Sequence, residues 1–116
     1  YSGKDEAVQP SSYTQRQFVV DVQGITGSYP DGLAGDETIR NTVTISASRN
    51  RKHPVVRALQ KRLNALGHNC GTVDGIAGPK FTAAVNSYQK NVLGYKNPDG
   101  EITARKKMWK SLLGMV

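Results

Sequence analysis

Cysteine is nearly absent from this sequence, because Cys70 is the one thiol among 116 residues. An intramolecular disulfide is therefore impossible, and the fold must rest on its hydrophobic core. No apolar run approaches the roughly 20 residues that span a bilayer, and no basic segment followed by an apolar stretch marks a signal peptide. Hydrophobic residues nevertheless make up 37% of the chain, which excludes a disordered tail and suits a compact domain.

Acidic residues are scarce in the second part of the chain. Residues 1–45 hold 3 Lys or Arg against 6 Asp or Glu, whereas residues 46–116 hold 13 against 3. The net charge of +7 is therefore carried by the C-terminal part, which predicts attraction to polyanions at low ionic strength. Nucleic acid, anionic lipid and the polymers of bacterial walls all meet that condition.

Apolar residues at helical spacing predict three helices in the second part of the chain. The first begins at Pro54 and ends before Gly67, and the second begins at Pro79, since proline favours the first helical position and glycine the end of a helix. The third is expected to have Thr103 as its N-cap.

The first part of the chain predicts less regular structure. Residues 1–12 lack apolar periodicity and are expected to form a linker; since the sequence also does not begin with Met, we expect a further domain before it. Helical spacing of apolar residues predicts a helix over residues 13–25, ended by Gly27. Residues 37–52 are ambiguous, because acidic residues favour a helix start whereas the β-branched run at 42–45 also fits extended chain.

A repeated turn motif is the most informative feature of the sequence. Residues 31–35 (D-G-L-A-G) and 74–78 (D-G-I-A-G) differ at one position, and residues 99–103 (D-G-E-I-T) form a weaker third copy. The first two copies follow a helical pattern that ends in Gln23 or Gln60. Aspartate can bond its own backbone two residues on and glycine supplies positive φ, so the motif predicts a tight turn between helices.

These motifs resemble the three-helix peptidoglycan-binding domain. The resemblance covers about residues 54–114 and is carried by V-V-R-A-L-Q-K-R-L-N-A-L-G, G-T-V-D-G-I-A-G-P, T-A-A-V-N-S-Y-Q-K, D-G-E-I-T and M-W-K-S-L-L-G. Residues 13–45 resemble a second, abbreviated copy. A tandem of this kind is similar to the C-terminal region of clostridial-type N-acetylmuramoyl-L-alanine amidases and of phage endolysins. Ala104-Arg105 departs from the family, whose members commonly have Gly-Pro ahead of the last helix.

The resemblance implies an all-α fold, a small bundle of about five helices linked by Asp-Gly turns. We expect residues 53–116 to form one complete three-helix peptidoglycan-binding unit and residues 13–52 to form the abbreviated copy with its connector. The abbreviated copy has no third helix of its own, so we expect it to complete its core by packing on the complete unit.

Enzymatic chemistry has no support in the residues themselves. A catalytic zinc site needs three protein ligands, and His53, His68 and Cys70 lack the spacing of such a site. No G-x-S-x-G sequence marks a nucleophile, and the turn motif explains the repeated aspartates. We therefore expect no catalytic residue, no metal ion and no cofactor in this segment.

Candidate ligand contacts lie at the repeated turns. Tyr29 and Tyr95 each precede an Asp-Gly motif, where an exposed ring can stack on a sugar, whereas Tyr88 and Trp109 lie on apolar helix faces and are expected in the core. The predicted peptidoglycan-binding residues are Tyr29, Asp31, Asp74, Gly75, Tyr95 and Asp99. The residues predicted to add electrostatic attraction to wall carboxylates and phosphates are Arg57, Lys61, Arg105, Lys106 and Lys107.

The function implied by the resemblance is a non-catalytic module that binds peptidoglycan in the cell wall, outside the cell. It would target an attached hydrolase, an amidase or a peptidase, to glycan strands, stem peptides or both, with anionic wall polymers as further partners. We expect neither a membrane nor nucleic acid as partner. The alternative is a basic helical nucleic-acid-binding domain, favoured by the charge of residues 46–116 alone; such a domain needs outward polar residues on a recognition helix, whereas the repeated feature here is an acidic turn.

Overall fold

Helices dominate the computed structural model, which describes residues 13–115. The helices of that range are α1 (Gln15–Thr26), α2 (Asp36–Arg40), α3 (Val55–Ala65), α4 (Pro79–Asn91) and α5 (Lys107–Leu112). The same range contains one isolated antiparallel bridge and no strand. The all-α prediction with five helices is therefore confirmed, while the linker predicted for residues 1–12 lies outside the described residues. None of the helices described is long and apolar enough to cross a bilayer.

The first helix is fixed by signals at both of its ends. Thr14 is the N-cap and forms a capping box with Gln17, so that two backbone N–H groups are satisfied reciprocally. Gly27 ends the helix in the left-handed conformation, with a φ of 88°, and the N–H of Ser28 donates to the carbonyl of Gln23. The predicted end of this helix at Gly27 is confirmed.

The last helix begins later than the sequence predicts. α5 starts at Lys107 with Lys106 as its N-cap, so the predicted N-cap at Thr103 is wrong. The hydroxyl of Thr103 donates instead to the Glu101 carboxylate at 3.0 Å. Arg105 has a φ of 63°, and a right-handed helix cannot run through a residue in that conformation.

The segment at residues 42–45 explains this delayed start. It is extended, and Ile45 forms the antiparallel bridge with Ile102 through hydrogen bonds of 3.0 and 2.9 Å. Two threonine hydroxyls of the segment accept hydrogen bonds from the N–H groups of residues 104 and 105. The ambiguous stretch thus contains both predicted conformations, a short α2 followed by extended chain. The extended part is hydrogen-bonded to the residues that precede α5.

Side chains from residues 13–52 and from residues 53–115 share one core. α1 packs on α3, and the ring of Phe18 stacks on that of Trp109 with a centroid distance of 6.3 Å. The indole N–H of Trp109 donates to the carbonyl of Val43 at 2.8 Å. Trp109 is fully buried and Tyr88 nearly so, which confirms that both belong to the core. The largest fully buried apolar side chains are Trp109, Phe18, Phe81, Ile45, Leu59, Leu63, Ile102, Leu112 and Leu113.

Truncating Phe18 to alanine should destabilise the whole chain. The substitution leaves a cavity against Trp109, and removal of a buried phenylalanine ring costs about 3–5 kcal/mol of unfolding free energy. Urea denaturation followed by circular dichroism measures the loss. Lys90→Ala, at an exposed position of α4, is the control and should change stability by less than about 0.5 kcal/mol. A Phe18→Ala loss as small as that of the control would contradict a shared core.

Candidate functional site

The turn after α3 is held by one buried glutamine side chain. The Oε1 of Gln60 accepts a hydrogen bond from the N–H of Gly75 at 2.9 Å. Its Nε2 donates to Asp74 Oδ1 at 2.9 Å and to the Ile76 carbonyl at 3.2 Å, and Asp74 Oδ1 also accepts the Ile76 N–H at 2.9 Å. Gly75, one of the predicted ligand contacts, therefore uses its N–H inside the turn.

The same bonds recur at the other two turns. Gln23 bonds in this way to the turn at Asp31, and Gln89 to the turn at Asp99. Both glutamines are buried. Gln89 is not among the predicted residues, although the pattern V-x-x-Y-Q at residues 85–89 matches the helical pattern before the first two turns. The third copy is therefore complete in its hydrogen bonds, despite its weaker sequence.

An arginine side chain lies across each of the first two turns. Gly75 has a φ of 79°, a conformation that favours glycine, and a Cβ added there would lie 3.2 Å from Arg57 Nε. Arg57 also donates to the carbonyl of Val73 at 3.3 Å. Arg16 covers Gly32 in the same manner. The positive φ therefore favours glycine in these turns, and any larger residue would also require the arginine to shift.

Hydrogen bonds stabilise the side chains of Asp31 and Asp74 as carboxylates. The bond from Gln60, followed by a backbone N–H of the turn, lowers the pKa of Asp74 below its usual value. At Asp31 the largest cause of the lowered pKa is the N–H of Leu33. The predicted contacts Asp31, Asp74 and Asp99 are all exposed, and each uses its Oδ1 within its own turn. The turns thus give these carboxylates a structural role, and their contact with a ligand stays a prediction.

An open groove of about 510 Å³ lies between α1 and α3. Arg57 and Lys61, one helical turn apart on α3, contribute positive charge to it. Asp21 is the acidic lining residue, and its carboxylate accepts a hydrogen bond from the hydroxyl of Tyr13. The remaining lining residues are small or apolar: Val20, Gly24, Ile25, Pro30, Pro54 and Ala58.

This groove, which we call the α1–α3 groove, is bordered by parts of the first two turns. Pro30 directly precedes the first Asp-Gly motif, and Arg57 covers the glycine of the second. Tyr29, next to Pro30, is 73% exposed. Of the predicted site residues, Arg57 and Lys61 therefore line the groove, and Tyr29 adjoins it in sequence.

Five predicted residues lie around the third turn or directly after it: Tyr95, Asp99, Arg105, Lys106 and Lys107. The N–H of Tyr95 donates to the carbonyl of Gln89 at 2.9 Å, and Lys107 Nζ lies 5.8 Å from the centre of its half-buried ring. Arg105 and Lys106, both exposed, precede Lys107 in the chain. The structure therefore divides the predicted residues among the α1–α3 groove, the third turn with the chain after it, and the first two turns, which hold Asp31, Asp74 and Gly75.

A second open groove, of about 520 Å³, lies between the connector and α4. Its lining includes Ala47, Arg51, Ala77, Pro79, Ala83 and Asn86. One cation, Arg51, lines it, whereas two neighbouring cations line the α1–α3 groove. The α1–α3 groove is therefore the stronger candidate for a binding site.

His68 and Cys70 serve packing. The Nδ1 of His68 lies 2.9 Å from the Ser87 hydroxyl, and burial lowers the pKa of this histidine. Burial also raises the pKa of the Cys70 thiol to about 12, so that the thiol stays protonated and weakly nucleophilic at neutral pH. Across residues 13–115, His, Cys, Asp and Glu form no group of three that could hold a metal ion.

Residues 52–105 match the model of a protein family described as "Putative peptidoglycan binding domain". The matched range contains α3, α4 and the second and third turns, whereas α1 and the first turn lie outside it. No curated protein and no solved structure gave a significant match to the chain. The family match supports peptidoglycan binding.

Replacing Gln60 by leucine should destabilise the chain. The substitution keeps a similar volume but leaves buried polar groups of the turn without partners, which costs about 1–3 kcal/mol. Urea denaturation measures the change. Lys90→Leu adds the same side chain at an exposed helical position and should be nearly neutral. Equal stability of the two variants would show that the glutamine does not hold the turn.

Stability should fall in acid through the turn aspartates. A carboxylate whose folded pKa lies below its ordinary value of 3.8 adds stability above that value and loses it as the pH falls through the folded pKa. The double variant Asp31→Asn/Asp74→Asn keeps the acceptor oxygens but cannot titrate. We therefore expect it to lose less stability than the parent chain between about pH 5 and pH 2, measured by urea denaturation. Equal losses of stability in the variant and the parent chain would show that the turn aspartates do not cause the acid sensitivity.

Proposed function

We propose that this chain is a non-catalytic module that binds bacterial peptidoglycan and targets an attached cell-wall hydrolase to its substrate. The family match over residues 52–105 carries the proposal. The matched segment holds two of the three glutamine-fixed turns and one wall of the α1–α3 groove. A rigid scaffold that presents loops and a groove is suited to binding.

The attached enzyme would be an N-acetylmuramoyl-L-alanine amidase or a peptidase, and the module would act in the cell wall, outside the cell. The resemblance of the two copies to the tandem of amidases and endolysins supports this part of the proposal. Tethering raises the effective concentration of a catalytic domain at an insoluble substrate. The module therefore needs only modest affinity of its own.

Two contributions to wall binding follow from the surface. Contacts at the α1–α3 groove and at Tyr29 and Tyr95 act at short range. The exposed basic residues at 105–107 add attraction to wall carboxylates and phosphates, which salt screens. The two contributions can therefore be separated by ionic strength.

Sedimentation with purified sacculi, stripped of teichoic acid, tests this function. The chain should bind at low salt and retain weaker binding at 1 M salt, where the Debye length is about 3 Å. Tyr29→Ala/Tyr95→Ala should remove much of the salt-resistant part. Lys106→Glu/Lys107→Glu should reduce only the salt-sensitive part.

Binding to duplex DNA, measured along the same salt series, is the control. DNA binding should vanish at 1 M salt, because it depends on release of counterions from phosphates. Sacculus and DNA binding that fell together along one salt curve, and were insensitive to the tyrosine changes, would favour generic attraction to polyanions over wall recognition.

A further inference from the structure

We propose further that the α1–α3 groove binds the stem peptide of peptidoglycan rather than its glycan. This inference rests on the proposed function and names the part of the polymer that is recognised. It also assigns recognition to a surface that both copies build, since α1 contributes one wall and α3 the other.

The charge of the groove fits a ligand with carboxylates. Arg57 is held in place by its contacts with the second turn, and Lys61 Nζ lies 5.6 Å from the centre of the Tyr13 ring. The acidic lining residue, Asp21, is already paired with the Tyr13 hydroxyl. Two positioned cations thus face one engaged carboxylate, an arrangement that favours an anionic ligand.

The shape and composition of the groove fit a peptide better than a sugar. Flat sugar faces are commonly bound on aromatic rings, whereas no aromatic side chain is found among the described residues that line this groove. Small and aliphatic residues, including Gly24, Pro30 and Ala58, form its surface. Methyl groups can contact such a surface while carboxylates reach the rim. A short alanine-rich peptide with free carboxylates, which is the chemistry of the stem peptide, combines both features.

Gly24 keeps the groove open. It lies within α1, where glycine is among the least favourable residues, and a Cβ added there would meet no atom within 4 Å. A larger side chain at this position would therefore enter the groove without disturbing the core. Gly24→Leu should block the groove while stabilising the helix, so a loss of binding could not be attributed to unfolding.

Calorimetric titration with synthetic stem tetrapeptides of the lysine and diaminopimelate types tests the assignment directly. The full chain should bind at least one of them at low salt. Gly24→Leu should weaken binding at least about tenfold, and Gly24→Ala, which adds only a methyl group, should weaken it less. Lys61→Glu should also weaken binding by about tenfold, since a paired charge is reversed.

Two matched variants serve as controls. Ala83→Leu adds the same bulk to the second groove, and Lys90→Glu makes the same charge change at an exposed position of α4. Both should bind the peptides like the parent chain. A loss of binding in Ala83→Leu with none in Gly24→Leu would overturn the assignment to the α1–α3 groove.

Sacculus sedimentation of the same variants distinguishes the two proposals. If the chain binds sacculi and peptide-free glycan strands but no stem peptide, the inference is wrong and the proposed function stands. If Gly24→Leu binds sacculi at 1 M salt as well as the parent does, the groove is not the site. If the parent chain binds neither sacculi nor stem peptides, both proposals fail.

Discussion

The hydrogen bonds from one buried glutamine amide to each of the three turns are the interaction on which the rest of the structure depends. A turn between helices places backbone N–H and carbonyl groups near the core, where polar groups without partners are costly. At each turn one side-chain amide supplies these partners, since its nitrogen donates and its oxygen accepts, as Gln60 does for the second turn. The turn is thereby fixed to its helix, and the residues after it begin the next element from a defined point, as Gly78 does for α4. The position of Arg57, and with it the rim of the α1–α3 groove, follows from that fixed turn.

The sequence predicts those parts of the fold whose signals are local. The predicted end of α1 at Gly27 and start of α4 at Pro79 agree with the structure. Glycine readily adopts the left-handed conformation that ends a helix, and the proline ring fixes φ at a helical value. The start of α5 could not be predicted in this way. Thr103 is an ordinary N-cap candidate, but the segment at 42–45, about sixty residues away in sequence, holds the backbone that follows it. Pairing over that distance leaves no trace in a local pattern.

The candidate site was predictable only in part. Sequence reasoning identifies the turns and the cationic residues Arg57 and Lys61. It does not identify the opposite wall, because Val20 and Gly24 become part of the site only when α1 packs on α3. It also misses Gln89, for the different reason that its turn at Asp99 matches the repeat at fewer positions. The groove wall depends on tertiary packing, and Gln89 is recognised only once the third turn is compared with the other two.

Trp109, the single tryptophan of the chain, gives the molecule a built-in optical reporter. Its ring lies where residues 13–52 pack on the C-terminal helices, stacked on Phe18 and bonded to the carbonyl of Val43. Indole emission depends on local polarity, so separation of residues 13–52 from the C-terminal helices would expose the ring to water and shift its spectrum. Intrinsic fluorescence can thus follow the association of these two parts of the chain in the unlabelled protein, in solution or on the surface of a wall fragment.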